Sequence, residues 1–115
     1  MTVSAITDIM VATIGPREAA DIIASDDVAV VDVRDEEEYS SGHIPGARAV
    51  PLDQLRADPE RTLGRRESIL FVCAKGVRSL TAAKLAERLG FSRLYSLEGG
   101  TAGWARAGLP LVSGT

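Results

Sequence analysis

Two short apolar runs constrain this chain more than any other feature. Val28-Ala29-Val30-Val31-Asp32-Val33 is apolar without a break up to Asp32 and rich in β-branched residues, and Ile69-Leu70-Phe71-Val72-Cys73 is a second run of similar character. A strand with one wet face alternates apolar and polar residues. A continuous run of this length instead suits a central parallel strand covered on both faces. Three further short strands are expected at Ile9–Ala12, at Ala47–Val50 on an edge, and at Arg93–Leu97.

The segments between these runs read as helices and turns. Gly15-Pro16-Arg17-Glu18 opens a helix, because Pro suits the first helical position; Ala19, Ile22 and Ile23 then give it an apolar face to about Ala24. Ser25-Asp26-Asp27 and the cluster Gly42 to Gly46 read as turns. Arg34 to Ser40 is a charged segment expected to form a short surface helix, with a second short helix over Pro51–Arg56 and polar loop or fragmentary helix over Pro59–Glu67. Arg78–Leu89 is the clearest helix. Its stripe is Ala82, Leu85, Ala86 and Leu89, with Lys84, Glu87 and Arg88 outward and Gly90 where a helix-ending residue belongs. Gly99-Gly100 opens a last helical segment through Trp104, which Gly108-Leu109-Pro110 ends. Strands alternating with helices predict an α/β fold with a mostly parallel sheet. Ligands of such folds sit beyond the carboxyl ends of the strands, where Cys73 and the residues after Asp32 meet.

With 115 residues the chain is expected to be one domain, 1–115, able to bury roughly two thirds of its unfolded surface. One Cys excludes an internal disulfide framework and any zinc site with two thiolates, and one His removes most other chelation, so no metal or other cofactor is expected. A formal net charge of -3, with no basic run longer than Arg65-Arg66, argues against nucleic acid as a partner. No stretch approaches a membrane span and the N-terminus lacks the pattern of a signal peptide, so the expectation is a cytoplasmic protein without a membrane partner. The helix faces show no large extra apolar stripe, and a monomer is expected.

The chemistry concentrates in Cys73-Ala74-Lys75-Gly76-Val77-Arg78-Ser79, between a buried strand and a long helix. Backbone N–H groups of such a loop, a helix N-terminus, and the cations Lys75 and Arg78 together make a cradle for an anion. Gly76 permits a backbone shape that a side chain disfavours. The same field favours the thiolate of Cys73. Composition alone would make a lone Cys an inert core residue, but its place at a strand end ahead of a glycine loop makes it a nucleophile. Such a thiolate can attack phosphorus, or attack a sulfane sulfur and carry it as a persulfide. Cys-dependent phosphatases are similar to one another in having one more residue between Cys and Arg. Here four residues, Ala74 to Val77, separate them and the next position is Ser79, so the smaller loop better fits a terminal sulfur.

The ordered set of motifs resembles the single-domain rhodanese family of sulfurtransferases. Val31-Asp32-Val33-Arg34 is followed by Glu38-Tyr39, Gly42-His43-Ile44-Pro45-Gly46-Ala47, Pro51-Leu52, the Cys73 loop, Leu97-Glu98-Gly99-Gly100, Trp104 and Gly108-Leu109-Pro110, over about Thr13 to Leu111. The resemblance implies a three-layer fold with a five-stranded, mostly parallel sheet and helices on both faces. It also implies that Cys73 takes the outer sulfur of a small anionic donor such as thiosulfate, then passes it from a persulfide to cyanide or to a thiol acceptor, which can be a protein thiol. Ala74, Lys75, Gly76, Val77, Arg78 and Ser79 would bind the substrate through loop N–H groups and charge. The position of Lys75 favours thiosulfate over mercaptopyruvate.

Supporting residues follow. Asp32, ending an apolar strand, needs partners and is read as structural, accepting from N–H groups of the next loop. Arg34 is a substrate-binding candidate, or pairs with the carboxylates of Asp35 to Glu38. His43 is read as structural, holding Gly42 to Gly46 by a side-chain hydrogen bond; Glu36, Glu37 and Glu38 as a solvated face; and Trp104 as packing. Ser79 either caps the helix or donates to the Cys73 sulfur. Three other functions compete: a sulfur-carrier or thiol-relay module serving one protein partner, a Cys-dependent phosphatase or arsenate reductase, and an inert regulatory domain, against which the intact Cys73 argues.

Overall fold

The computed structural model describes residues 11–25, 28–64, 68–91 and 93–114. The strands are β1 (Val11–Ile14), β2 (Ala29–Asp32), β3 (Arg48–Ala49), β4 (Ser68–Val72) and β5 (Arg93–Leu97). The helices are α1 (Pro16–Ala24), α2 (Glu36–Ser41), α3 (Leu52–Ala57), α4 (Pro59–Leu63), α5 (Val77–Arg88) and α6 (Gly100–Arg106). The strands form one five-stranded sheet in the order β1-β5-β4-β2-β3, and every pair is parallel. The two apolar runs are therefore central: β4 lies between β5 and β2, and β2 between β4 and β3.

Strand alternation divides the core in two. Val31, Val33, Ile69, Phe71, Cys73 and Leu94 face one side, against Leu55 of α3, Leu63 of α4 and Ala82, Ala83 and Ala86 of α5. Val30, Leu70, Val72 and Leu97 face the other, against Ala19 of α1 and Trp104 of α6. Burial on both faces is why these strands read as continuous apolar runs.

Some boundaries and faces differ from the sequence reading. The first strand spans Val11–Ile14 rather than Ile9–Ala12, paired with β5 from Leu94 to Leu97; Ile9 lies outside the described residues, as do Asp26, Asp27 and Glu67. Helix α5 buries Ser79, Ala82, Ala83 and Ala86, whereas Leu89 caps its C-terminus and is 39 % exposed. The buried face is thus turned toward small residues, which bring the helix close to β4 and β5 and carry Ser79 into the interior. Gly90, at φ 94°, follows the cap in the left-handed conformation.

Candidate active site

Cys73 stands directly after β4 and is 1 % exposed. Its sulfur is held from the loop that follows. The Gly76 N–H donates to Sγ at 3.0 Å and the Ser79 N–H at 3.3 Å. Helix α5 has no side-chain cap at Gly76, so one of the N–H groups left open by its first turn goes to the sulfur. Gly76 takes φ 102°, a left-handed conformation that turns the chain tightly enough for this contact.

The loop is fixed from behind by the start of α6. Thr101 N–H donates to the Cys73 carbonyl at 2.8 Å, and Ala102 N–H to the Ala74 carbonyl at 3.2 Å. In a trans peptide the N–H points opposite to the C=O. Tying these carbonyls to α6 therefore turns the N–H groups of Ala74 and Lys75 away from that helix. Gly100 makes the close approach possible: a Cβ there would lie 2.3 Å from the Ala74 carbonyl carbon.

Burial pushes the Cys73 thiol up, but the Ser79 hydroxyl and the N–H groups of Ser79, Lys75 and Gly76 outweigh it, and the thiol sits below its ordinary value. The Ser79 Oγ lies 3.5 Å from Sγ and 2.8 Å from the Oγ of Ser96. The Ser79 hydroxyl thus faces the sulfur rather than capping the helix, with the neutral Cys73 thiol donating to its Oγ. Ser96, a buried polar residue of β5, escaped the sequence reading. The signal was its parity with buried Leu94, which aims it at α5, where a hydroxyl needs a partner.

The charged residues sort themselves differently from expectation. Lys75 is exposed at the rim, and Val77 beside it is 74 % exposed. Arg78 forks onto Glu38, Nη1 to Oε1 at 2.8 Å and Nη2 to Oε2 at 3.0 Å. Glu38 is therefore not part of a solvated face. It also accepts from the Asp35 N–H while the Asp35 carboxylate accepts from its own N–H, a capping box that starts α2. The Arg78 hydrogen bond, helped by that N–H and by the charges of Arg78 and Arg34, holds the Glu38 carboxyl down at about 2 against burial that raises it.

Among the described residues Arg34 makes no hydrogen bond to the Cys73 loop. Its Nε and Nη2 fork onto the buried Asp32 carboxylate, with Nη2 at 2.8 Å, and Nη2 also donates to the Gly42 carbonyl at 2.7 Å. Its side chain is 6 % exposed, and its partner is Asp32 rather than the acids of α2. Asp32 also accepts from the Arg34 N–H. The pair braces the turn after β2, because a fully buried carboxylate two positions away needs the guanidinium as its partner. The His43 ring stacks on Tyr39 at 3.8 Å, and its Nδ1 makes a side-chain hydrogen bond with the Tyr39 carbonyl of α2, next to the Gly42–Gly46 turn. Its backbone pairs with Val112. The Trp104 Nε1–H donates to the Pro110 carbonyl.

The model of the rhodanese-like domain matches residues 15–107. The chain belongs to the rhodanese-like family. This rhodanese-like chain is 31% identical over 105 residues to a thiosulfate sulfurtransferase of Actinobacillus pleuropneumoniae, covering 85% of this chain and 90% of that one. It is 33% identical over 89 residues to a sulfurtransferase of Allochromatium vinosum, covering 77% and 82%. Among solved structures, it superposes on a thiosulfate sulfurtransferase of Pseudomonas aeruginosa with a TM-score of 0.79 at 33% identity, over 90% of this chain and 19% of that one. It also superposes on a Rhodopseudomonas palustris protein named a possible tyrosine phosphatase, with a TM-score of 0.79 at 30% identity, over 97% and 95%.

Proposed function

We propose that this rhodanese-like chain is a thiosulfate sulfurtransferase in which Cys73 carries the sulfur. The observation that carries the reading is the Cys73 sulfur itself, an acceptor for the Gly76 and Ser79 N–H groups at 3.0 and 3.3 Å, with its thiol drawn below the ordinary range. In the first step the thiolate attacks the outer sulfur of thiosulfate. A bond forms between Sγ and that sulfur, the bond to the sulfite sulfur breaks, and sulfite leaves with the electron pair. The negative charge is then on the terminal sulfur of a Cys73 persulfide, where loop N–H groups oppose it at no cost in reorganisation. In the second step cyanide or a thiolate attacks the terminal sulfur, and Cys73 departs as the thiolate. The cycle closes with no net redox change and two half-reactions.

Charge and size support the sulfur donor. Lys75, exposed at the rim, attracts a dianion over a range that salt shortens. Cys73 retains 1 % of its surface, so a slender terminal atom reaches it more readily than a phosphoryl group with three equatorial oxygens. Phosphoryl transfer is the weaker reading, because Arg78 forks onto Glu38 and the position after it is Ser79. Since these 115 residues hold one Cys, no second thiol among them takes the sulfur from Cys73.

Steady-state assays with thiosulfate and cyanide test the proposal. Double-reciprocal plots at several cyanide concentrations should be parallel, and Cys73→Ser should abolish thiocyanate formation. Intersecting lines, or thiocyanate formed by the variant, would count against a persulfide on Cys73. Activity on an aryl phosphate or arsenate without activity on thiosulfate would move the assignment to the phosphatase or reductase class.

A further inference from the structure

Behind the nucleophile lies a short row of three polar atoms: Cys73 Sγ, Ser79 Oγ at 3.5 Å, and Ser96 Oγ 2.8 Å beyond. All three residues are buried, and among the described residues the Ser96 hydroxyl has no other hydrogen-bond partner. Three atoms in a row make two links. With Cys73 as a thiol, the row carries three hydrogens for two links, and one hydrogen has no acceptor within the row. With Cys73 as a thiolate it carries two, and both links are made: Ser96 donates to Ser79, and Ser79 donates to sulfur. A buried donor without a partner is unfavourable, so the row is complete only when the sulfur is charged.

We propose that Ser96 is a positioning residue that keeps the Ser79 hydroxyl turned toward Cys73 as a donor to the thiolate. Ser96 touches no reacting atom; its effect passes through Ser79. Its bearing on sulfur transfer rests on the sulfurtransferase reading, but its effect on the thiol does not.

Other groups around the sulfur are the same in every variant needed. Lys75 stands in the loop, and Arg78 of α5 interacts with the Cys73 charge while bound to Glu38 of α2. The first turn of α6 carries no acidic residue. Neither serine carries a charge, so changes at Ser79 and Ser96 read the hydroxyl row alone.

The test is a double-mutant cycle on the thiolate. Its ultraviolet absorbance is followed against pH, with the Cys73→Ser spectrum subtracted, and the chain's single Cys makes the signal unambiguous. Loss of the charge-assisted bond in Ser79→Ala should raise the thiol pKa by about 1–2 units, and Ser96→Ala should raise it by about 0.5–1. The double variant should titrate as Ser79→Ala does, because Ser96 has then lost the group it acts through. A Ser96→Ala titration within about 0.2 units of wild type overturns the proposal, and so do shifts that simply add; both limits are small beside the expected bond energies. Should Ser96→Ala not fold, Ser96→Thr against Ser96→Val makes the same contrast in one side-chain volume: the Thr protein should keep the lower pKa, and equal values would overturn the proposal. The titration involves no turnover, so it tests Ser96 even in a chain that takes up no sulfur.

Discussion

Adding one methyl group at Gly100 should dismantle the cradle around Cys73, and the same addition at Gly99 should not. Both residues have positive φ, 78° at Gly99 and 61° at Gly100, so Ala at either costs roughly 1–2 kcal/mol for the left-handed backbone. The surroundings differ. At Gly99 the new Cβ would meet Gly103 Cα at 3.5 Å, an ordinary contact. At Gly100 it would lie 2.3 Å from the Ala74 carbonyl carbon and 2.4 Å from the Ala74 and Cys73 carbonyl oxygens. Those neighbours are backbone, so the loop and α6 must separate by about 1 Å, an overpacking strain of about 1–3 kcal/mol. Separation also weakens the Thr101-to-Cys73 and Ala102-to-Ala74 hydrogen bonds, each worth about 0.5–1.5 kcal/mol. Gly100→Ala should therefore cost about 3–8 kcal/mol against about 1–2 for Gly99→Ala, a large share of the 5–15 kcal/mol typical of a domain. Urea unfolding followed by fluorescence of Trp104, the single Trp and part of α6, measures both. The thiol titration should move up in Gly100→Ala as the loop N–H groups leave the sulfur. If Gly100→Ala and Gly99→Ala fall within about 1 kcal/mol of each other and titrate alike, the packing of α6 against the loop is not what shapes the cradle.

Three further outcomes are expected. Asp32→Asn leaves the buried Arg34 charge without its carboxylate and should cost about 3–5 kcal/mol in urea unfolding, whereas replacing both residues by apolar ones should cost far less. Glu38→Gln should lower stability at neutral pH by about 0.5–1 kcal/mol, discounted because the Arg78 and Glu38 side chains are 38% and 32% exposed. The Glu38 carboxyl is depressed from 4.5 to about 2 in the folded chain, so this contribution is present above 4.5 and is lost as pH falls toward 2, where variant and wild type should converge. Lys75→Ala should raise the KM for thiosulfate and flatten its dependence on ionic strength, with little change in unfolding midpoint, because Lys75 is exposed.

The sheet was legible in the sequence because two of its three interior strands, β2 and β4, are buried on both faces and need no alternation to be recognised. The place of Cys73 was legible for a related reason: a Cys at the end of such a strand, followed by Gly76 and a long helix, leaves few other geometries. The residues that escaped are those whose partners lie far along the chain. Glu38 looks like one acid among three until α2 and α5 bring it to Arg78, 40 positions away. Ser96 meets Ser79 across 17 positions. Arg34 was misplaced for a local reason, since Asp32 is two positions away but becomes its partner only when the turn after β2 folds back. Leu89 reads as core by helical period, yet α5 ends at Arg88 and leaves it at the surface.

The measurement that bears most directly on Cys73 as the sulfur carrier is the intact mass of the protein after incubation with thiosulfate. The wild-type chain should gain one sulfur atom, lose it again on addition of cyanide or excess thiol, and show no gain after Cys73→Ser. A gain that persists in the variant would contradict the mechanism, since no other thiol exists in the chain. A wild-type protein that takes no sulfur from thiosulfate, but takes it from a protein persulfide, would make the chain a dedicated carrier rather than a thiosulfate sulfurtransferase.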